Sequence, residues 1–319
     1  MEPGMNKNNL STSSFKENIK FLLKLFLFLG MVIAFFFHVM PQYENLYTAS
    51  LLDKTERLKS VDGPKIVLLG NSNLTFGMDS EQLESEIGMP VVNMGLHGGA
   101  GNAFHEEMAK LHVTEGDIYI ICHTDYADDG SLPDEVLIWT VIENHFELWE
   151  LLRPCDIYPM IERYPVYLKK CLGLYSLEQG NEDPGGAYAR SSFNEYGDVA
   201  VERKEHYYTF ENSVVPPAVG DITVNRINEL NRWLNERGAT LLVAAYPIGK
   251  GELTASEDAF EAFQEELEEA LDCPVISQYT DYMFDYQYFY DTDYHLTDEG
   301  VALRTKQLIK DIQNWQAGF

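Results

Sequence analysis

Residues 65 to 73 read KIVLLGNSN, a short apolar run that ends in a cluster of small and polar residues. A run rich in isoleucine, valine and leucine is typical of a strand that is buried on both faces of a parallel sheet. The GNSN that follows indicates a turn, because glycine and asparagine adopt backbone conformations that other residues avoid. The segment therefore predicts a buried strand that ends in a functional loop carrying Ser72.

Strand and helix patterns alternate outward from this segment. Further strands are predicted at 90 to 95 (PVVNMG), 117 to 122 (DIYIIC), 240 to 247 (TLLVAAYP) and 274 to 277 (PVIS). Helices are predicted after the candidate caps Asp79 and Ser80, and at about 101 to 113, 223 to 239, 256 to 271 and 295 to 315. This alternation predicts an α/β fold with three layers, α/β/α, around a mainly parallel sheet of about five strands.

The interval from about 131 to 222 breaks the alternation. It contains an apolar helix candidate, DEVLIWTVIENHFELWELLR, followed by a tyrosine-rich stretch that includes RSSFNEYGDV at 190 to 199. Long irregular segments in compact domains are commonly functional. We therefore interpret this interval as an insertion that lies over the edge of the site.

Residues 21 to 40 read FLLKLFLFLGMVIAFFFHVM, close to the roughly 20 residues that a helix needs to cross a bilayer. Lys7, Lys16, Lys20 and Lys24 precede or begin this run, so the positive-inside rule predicts a cytoplasmic segment at 1 to 20. A cleaved signal peptide is the alternative, but PQYENLY after the run offers no small-x-small cleavage site. We predict a transmembrane anchor at 21 to 40, a stalk at 41 to 62 and an extracytoplasmic domain at 63 to 319.

The formal net charge of −28 repels phosphate backbones, so we expect no nucleic-acid partner. The same charge makes a neutral sugar polymer or a small ester an easier substrate than an anionic polymer. The four cysteines contain no CxxC pair, and the intervals between the histidines match no familiar set of metal ligands; these histidines are His97, His105, His112 and His123. We therefore expect no metal and no cofactor.

A serine becomes a nucleophile when a neighbouring base takes its proton, and imidazole, with an unperturbed pKa of about 6.5, suits this role. Ser72 follows the first predicted strand, and His295 begins the last predicted helix. Sites in open α/β sheets form at the carboxyl ends of the strands, so we expect these two side chains to meet there. An acid just before the histidine can orient the imidazole, and both Asp291 and Asp293 stand in suitable positions.

Three blocks in this order resemble the SGNH or GDSL-type hydrolase superfamily: GNSN at 70 to 73, NMG at 93 to 95 and YFYDTDYHLTDEG at 288 to 300. The resemblance spans essentially the whole predicted outer domain. It implies that Ser72 is the nucleophile and that His295 is its base. It also implies an oxyanion hole built from the amides of Ser72 and Gly95, helped by Asn71 or Asn73.

Two features depart from the family pattern. The acid usually stands three residues before the histidine, where this chain has Thr292, so Asp291 is the first choice and Asp293 the second. The family also places an asparagine after its third strand, where this chain has HTDY at 123 to 126.

Membrane-anchored branches of the family resemble proteins that O-acetylate exopolysaccharides or assist teichoic acid D-alanylation. They show a stretch comparable to FNEYGD at 193 to 198, which makes Asn194 a candidate substrate-binding residue. The resemblance thus implies a serine-dependent O-acyl esterase or acyltransferase that acts on a cell-envelope or secreted glycan. It also implies a polytopic acyltransferase or a glycan-synthesis complex as partner. The alternative is a catalytically weak or inactive protein that binds or assembles glycans.

Overall fold

The computed structural model describes residues 9–38, 43–143, 145–177, 185–204, 206 and 209–318. Its helices are α1 (Asn9–His38), α2 (Ser50–Ser60), α3 (Ser72–Thr75), α4 (Ser80–Ile87), α5 (Asn102–Glu107), α6 (Glu135–Ile142), α7 (Ile157–Leu177), α8 (Asp221–Asn235), α9 (Glu257–Ala270) and α10 (Asp298–Ala317). Its strands are β1 (Ile66–Gly70), β2 (Val91–Asn93), β3 (Ile118–Cys122), β4 (Thr240–Val243), β5 (Ile248–Lys250) and β6 (Met283–Asp285). Strands and helices alternate through most of the chain, which confirms the predicted α/β class.

The main sheet has four parallel strands in the order β2-β1-β3-β4. The register places Leu68 of β1 between Asn93 of β2 and Ile120 of β3. The fifth strand that we predicted at 274 to 277 is wrong, since Val275 makes only an isolated parallel bridge to Val243. The amide of Val243 donates to the carbonyl of Pro274. Proline has no N–H for the next bond of the ladder, so pairing stops there.

Helices cover both faces of this sheet, and the alternation of side chains along each strand explains how. Val67 and Leu69 enter one buried cluster, whereas Ile66 and Leu68 enter another. The first cluster contains the inner faces of α5, α8 and α9, through Phe104, Ile227 and Phe260. The second contains those of α4 and α10, through Leu83, Leu308 and Ile312. Continuous apolar strands such as β1 are required because neither face of the sheet meets water.

One helix among the described residues is long and apolar enough to cross a membrane. The candidate span is Phe15–Phe35, within α1, and none of it is buried against the rest of the described chain. It overlaps the anchor predicted at 21 to 40, of which residues 39 and 40 lie outside the described part. Most of the cytoplasmic segment predicted at 1 to 20 also precedes the described side chains.

The stalk predicted at 41 to 62 is wrong over its described residues. Leu51 and Leu58 on one face of α2 are fully buried, and each stabilises this attachment by roughly 2 kcal/mol. The hydroxyl groups of Tyr47 and Thr75 are hydrogen-bonded at 2.6 Å, which ties this segment to α3 beside Ser72. Residues 43 to 60 are therefore part of the folded domain rather than a spacer.

The described residues of the interval predicted as an insertion contribute no strand to the main sheet. They form α6 and α7, and α7 contains Pro165. Residues 185 to 199 then return to the carboxyl end of β1, where Val199 donates to the carbonyl of Thr75. This part of the interval thus lies at the carboxyl end of β1.

Candidate active site

Ser72 lies at the carboxyl end of β1, as the first residue of the short helix α3. The side chain of Asn71 caps this helix by accepting a hydrogen bond from the amide of Asn73 at 2.9 Å. Gly70 is required because an added Cβ would lie 2.8 Å from the carbonyl oxygen of Cys122 on β3. A tight packing of β1 against β3 therefore fixes where the serine emerges.

Two consecutive hydrogen bonds connect Ser72, His295 and Asp291. Ser72 Oγ lies 2.8 Å from His295 Nε2, and His295 Nδ1 lies 2.8 Å from Asp291 Oδ1. A carboxylate only accepts hydrogen bonds, so Nδ1 carries the imidazole proton and Nε2 accepts from the serine hydroxyl. This is the arrangement in which imidazole can act as a general base toward serine.

Asp291, rather than Asp293, is the acid that contacts the imidazole. Burial disfavours the charge of Asp291, but the hydrogen bonds from His295 and Tyr188 outweigh it and keep the pKa of Asp291 below its ordinary value. No hydrogen bond within the described chain joins Asp293 to His295, and burial raises the pKa of Asp293. The hydroxyl of Thr292 instead accepts the amide of His295 at 3.0 Å, which shapes the loop between the two acids.

Aromatic side chains hold the imidazole in place. The ring of Phe76 stacks on that of His295 with centroids 3.9 Å apart and an interplanar angle of 6°. From the insertion, Tyr188 donates its hydroxyl to Asp291 Oδ2 at 2.7 Å, and its oxygen lies 3.3 Å from His295 Nδ1. Our sequence reasoning missed both residues. The tyrosine-rich composition of the insertion was the only signal of Tyr188.

Gly95 does not supply the oxyanion amide that the resemblance implied. Its N–H donates to the side-chain oxygen of Asn93 at 3.0 Å, and its carbonyl accepts from Lys54 Nζ at 2.5 Å. Both backbone groups of Gly95 are therefore engaged. An added Cβ at Gly95 would lie 2.8 Å from Leu74 Cβ, so this glycine serves close packing beneath the serine loop.

Two other amides near the serine remain free to bind an oxyanion. Within the described residues, neither the Ser72 nor the Gly98 amide has a hydrogen-bond partner. An added Cβ at Gly98 would lie 3.8 Å from Asn71 Cβ, so its backbone passes directly beside the serine loop. The hydroxyl of Thr124 accepts a hydrogen bond from Asn71 Nδ2 at 2.8 Å. Its own proton therefore stays available as a third hydrogen-bond donor to the oxyanion. Sequence reasoning identified only the Ser72 amide of these three donors.

Asn73 and Asn194 both have structural roles. Asn73 is fully buried; its Nδ2 donates to Asn71 Oδ1 at 2.7 Å and to the carbonyl of Cys122 at 2.9 Å. Asn194 Oδ1 accepts the amides of Tyr196 and Asp198 at 3.0 and 2.9 Å, so it closes the turn of FNEYGD. The predicted substrate contact of Asn194 stays a prediction, because these hydrogen bonds engage only its Oδ1. The shared cause is that short polar side chains satisfy the nearest backbone groups first.

The part of the chain that the structure describes contains no group of three or more histidine, cysteine or acidic side chains that could hold a metal ion. The four cysteines are free thiols, three of them buried; they are Cys122, Cys155, Cys171 and Cys273.

In comparisons with known proteins, no protein-family model and no curated protein matches this chain. A fold of this class hosts many unrelated activities, so it does not define a function by itself. Functional inference therefore depends on the contacts among Ser72, His295 and Asp291.

Proposed function

We propose that this protein is a serine-dependent O-acyl esterase or acyltransferase of the SGNH type, acting on a cell-envelope or secreted glycan. One observation carries the proposal. The imidazole of His295 stands between Ser72 Oγ and Asp291 Oδ1, at 2.8 Å from each. A serine, a histidine and a carboxylate in this relation form the machinery of acyl transfer.

The chemistry proceeds in two steps. His295 Nε2 takes the hydroxyl proton as Ser72 Oγ attacks the acyl carbonyl. The amides of Ser72 and Gly98 and the Thr124 hydroxyl stabilise the oxyanion. The intermediate then collapses to an acyl-serine, and the leaving sugar hydroxyl takes its proton from His295. Water or a second sugar hydroxyl, deprotonated by His295, then removes the acyl group from Ser72.

The SGNH assignment is supported by the order of the pieces along the chain. The serine follows the first strand of a parallel sheet, a glycine-rich loop follows the second, and the acid and histidine precede the last helix. These are the positions of the blocks in that superfamily. The side chain that normally acts as the third oxyanion donor is replaced here by Thr124.

The extracytoplasmic location is part of the same proposal. The apolar stretch of α1 supports a membrane anchor, and the lysines before it favour a cytoplasmic N-terminus. A domain fixed at the outer surface of a membrane meets envelope glycans as they are made or exported. A polytopic acyltransferase that delivers acyl groups through the membrane is the partner that this placement fits.

A non-catalytic glycan-binding protein of the same fold is the second candidate. The engaged Gly95 amide and the missing asparagine after β3 favour it, because both remove expected support for an oxyanion. The two candidates differ in whether Ser72 is nucleophilic.

Labelling by a fluorophosphonate probe separates these candidates. The full-length protein in detergent should become labelled at Ser72, and Ser72→Ala should abolish the labelling. The exposed Ser60→Ala provides a matched control and should label like the wild type. Absence of labelling in the folded wild type, together with glycan binding, would replace the enzyme proposal by the binding one.

A further inference from the structure

A cleft of about 360 Å³ is lined in part by residues that neighbour the triad in the chain or contact its loops, although no triad side chain lines it. Thr124 and Asp125 line it from the end of β3, and Asp293 and Tyr294 line it from the loop before α10. Asn71, the residue before Ser72, donates to Thr124 at 2.8 Å. The wall of the cleft is thus continuous with the serine loop on one side and with the histidine loop on the other.

The lining combines aromatic and apolar surface with acceptors of hydrogen bonds. The rings of Tyr246 and Tyr294 meet edge to face with centroids 5.9 Å apart. Valines and prolines complete the apolar surface; they are Val214, Val215, Pro216, Pro217 and Pro247. Neither lysine nor arginine contributes to the lining. An anionic ligand would therefore meet carboxylates and no compensating cation.

Asp293 is a half-buried carboxylate of the cleft that stands in the chain between Asp291 and His295. Its side chain makes no salt bridge and no hydrogen bond to another residue of the described chain; it accepts only from its own backbone, and the charge of His295 favours its ionised form. Asp125, by contrast, accepts the amide of Ala127 at 2.8 Å and so closes its own turn. A carboxylate offers several acceptor sites, so Asp293 keeps capacity for hydrogen bonds from a ligand.

We propose that this cleft binds a neutral sugar residue of the acylated or acyl-accepting glycan, with Asp293 accepting hydrogen bonds from its hydroxyl groups. The apolar face of a pyranose ring packs against Tyr294 and the neighbouring prolines, and the hydroxyl to be acylated or deacylated points toward Ser72. This inference rests on the proposed function and adds to it the location and the charge preference of the sugar subsite. Asp293, the weaker candidate for orienting the histidine, thus becomes a substrate-binding residue.

Binding of two tetrasaccharides to the full-length protein in nanodiscs tests the subsite. The probes are a neutral N-acetylglucosamine tetramer and an anionic galacturonic acid tetramer. The proposal predicts that the neutral probe binds more tightly than the anionic one and that Asp293→Ala weakens its binding about tenfold, the loss of one hydrogen bond to a charged group. The exposed Glu261→Ala removes the same charge and should bind like the wild type.

Two results would overturn the subsite. One is no binding of the neutral probe, or tighter binding of the anionic probe. The other is unchanged affinity in both Asp293→Ala and the isosteric Asp293→Asn, provided that thermal unfolding shows both variants to be folded. The binding assay is independent of acyl transfer, so the two proposals can fail separately. A protein that binds the neutral probe but shows no activity would contradict the catalytic proposal and support the subsite. A protein that hydrolyses esters but does not bind the neutral probe would contradict the subsite and support the catalytic proposal.

Discussion

The hydroxyl of Tyr188 donates to Asp291 Oδ2 at 2.7 Å, so a residue distant in the chain contacts the acid that is hydrogen-bonded to the imidazole of His295. Burial and the neighbouring Asp291 raise the pKa of Tyr188, which keeps the phenol protonated as a donor. Tyr188 thus supports the arrangement of the candidate site.

Tyr188→Phe should lower kcat for an acetyl ester about fivefold and leave KM nearly unchanged. The lost hydrogen bond is worth about 1 kcal/mol, and it positions Asp291 rather than the substrate. Steady-state kinetics with Tyr158→Phe, an exposed tyrosine of α7, provides the control. A rise in KM with constant kcat would instead show that Tyr188 binds substrate.

Asp291→Asn should reduce kcat by about a hundredfold or more, because an amide cannot hold the imidazole in the tautomer that accepts the serine proton. Asp293→Asn should act differently and raise KM for a neutral glycan ester, since Asp293 does not contact His295. Comparing kcat and KM for the two variants checks this assignment. A larger loss of kcat in Asp293→Asn than in Asp291→Asn would show that Asp293, and not Asp291, is the acid that orients His295.

Lys54 gives the folded domain a specific dependence on pH. Burial lowers the pKa of Lys54 to about 7, although Asp198 and Asp53 oppose this shift. Between that value and the ordinary lysine pKa of about 10.4, the unfolded chain binds more protons, so stability rises with pH there. Urea unfolding at pH 7 and pH 9 should show the wild type gaining up to about 1 kcal/mol per pH unit relative to Lys54→Met. Parallel changes in the two proteins would contradict the shift.

Arg304 connects the last helix to the serine loop. This buried guanidinium donates to the carbonyl of Asn73 at 2.5 Å and to its side-chain oxygen at 2.7 Å. Lysine cannot make the forked contact, so Arg304→Lys should lower the free energy of unfolding by about 2–3 kcal/mol and reduce activity. The exposed Arg163→Lys should change the unfolding energy by less than about 0.5 kcal/mol. Equal effects of the two substitutions in urea titrations would refute this role.

The sequence predicted β1 and its serine because a strand buried on both faces leaves a continuous apolar run. It predicted His295 because few residue types can activate a serine near neutral pH. It ranked Asp291 before Asp293 but kept both, since the direction of a side chain in an irregular loop depends on local bonds such as that of Thr292. Gly95 was misassigned because its amide is engaged by a side chain two residues earlier, which spacing alone does not reveal.

The remaining errors involve contacts between distant segments. The buried face of α2 was taken as a stalk because its partners lie in other parts of the sequence. Tyr188 stands 103 residues before Asp291, in a stretch without periodicity. Strands β5 and β6 form a separate two-stranded parallel sheet, and each is too short to give a pattern.

The most direct test of the central claim is to find where an acyl group attaches. The full-length protein is mixed with p-nitrophenyl acetate, quenched in acid within the first turnover, and digested for mass spectrometry. We expect one acetyl group on Ser72 in the wild type and none there in His295→Ala, with nitrophenol release lost in Ser72→Ala. Undiminished release in Ser72→Ala, or an acetyl group on another residue with Ser72 unmodified, would contradict the mechanism.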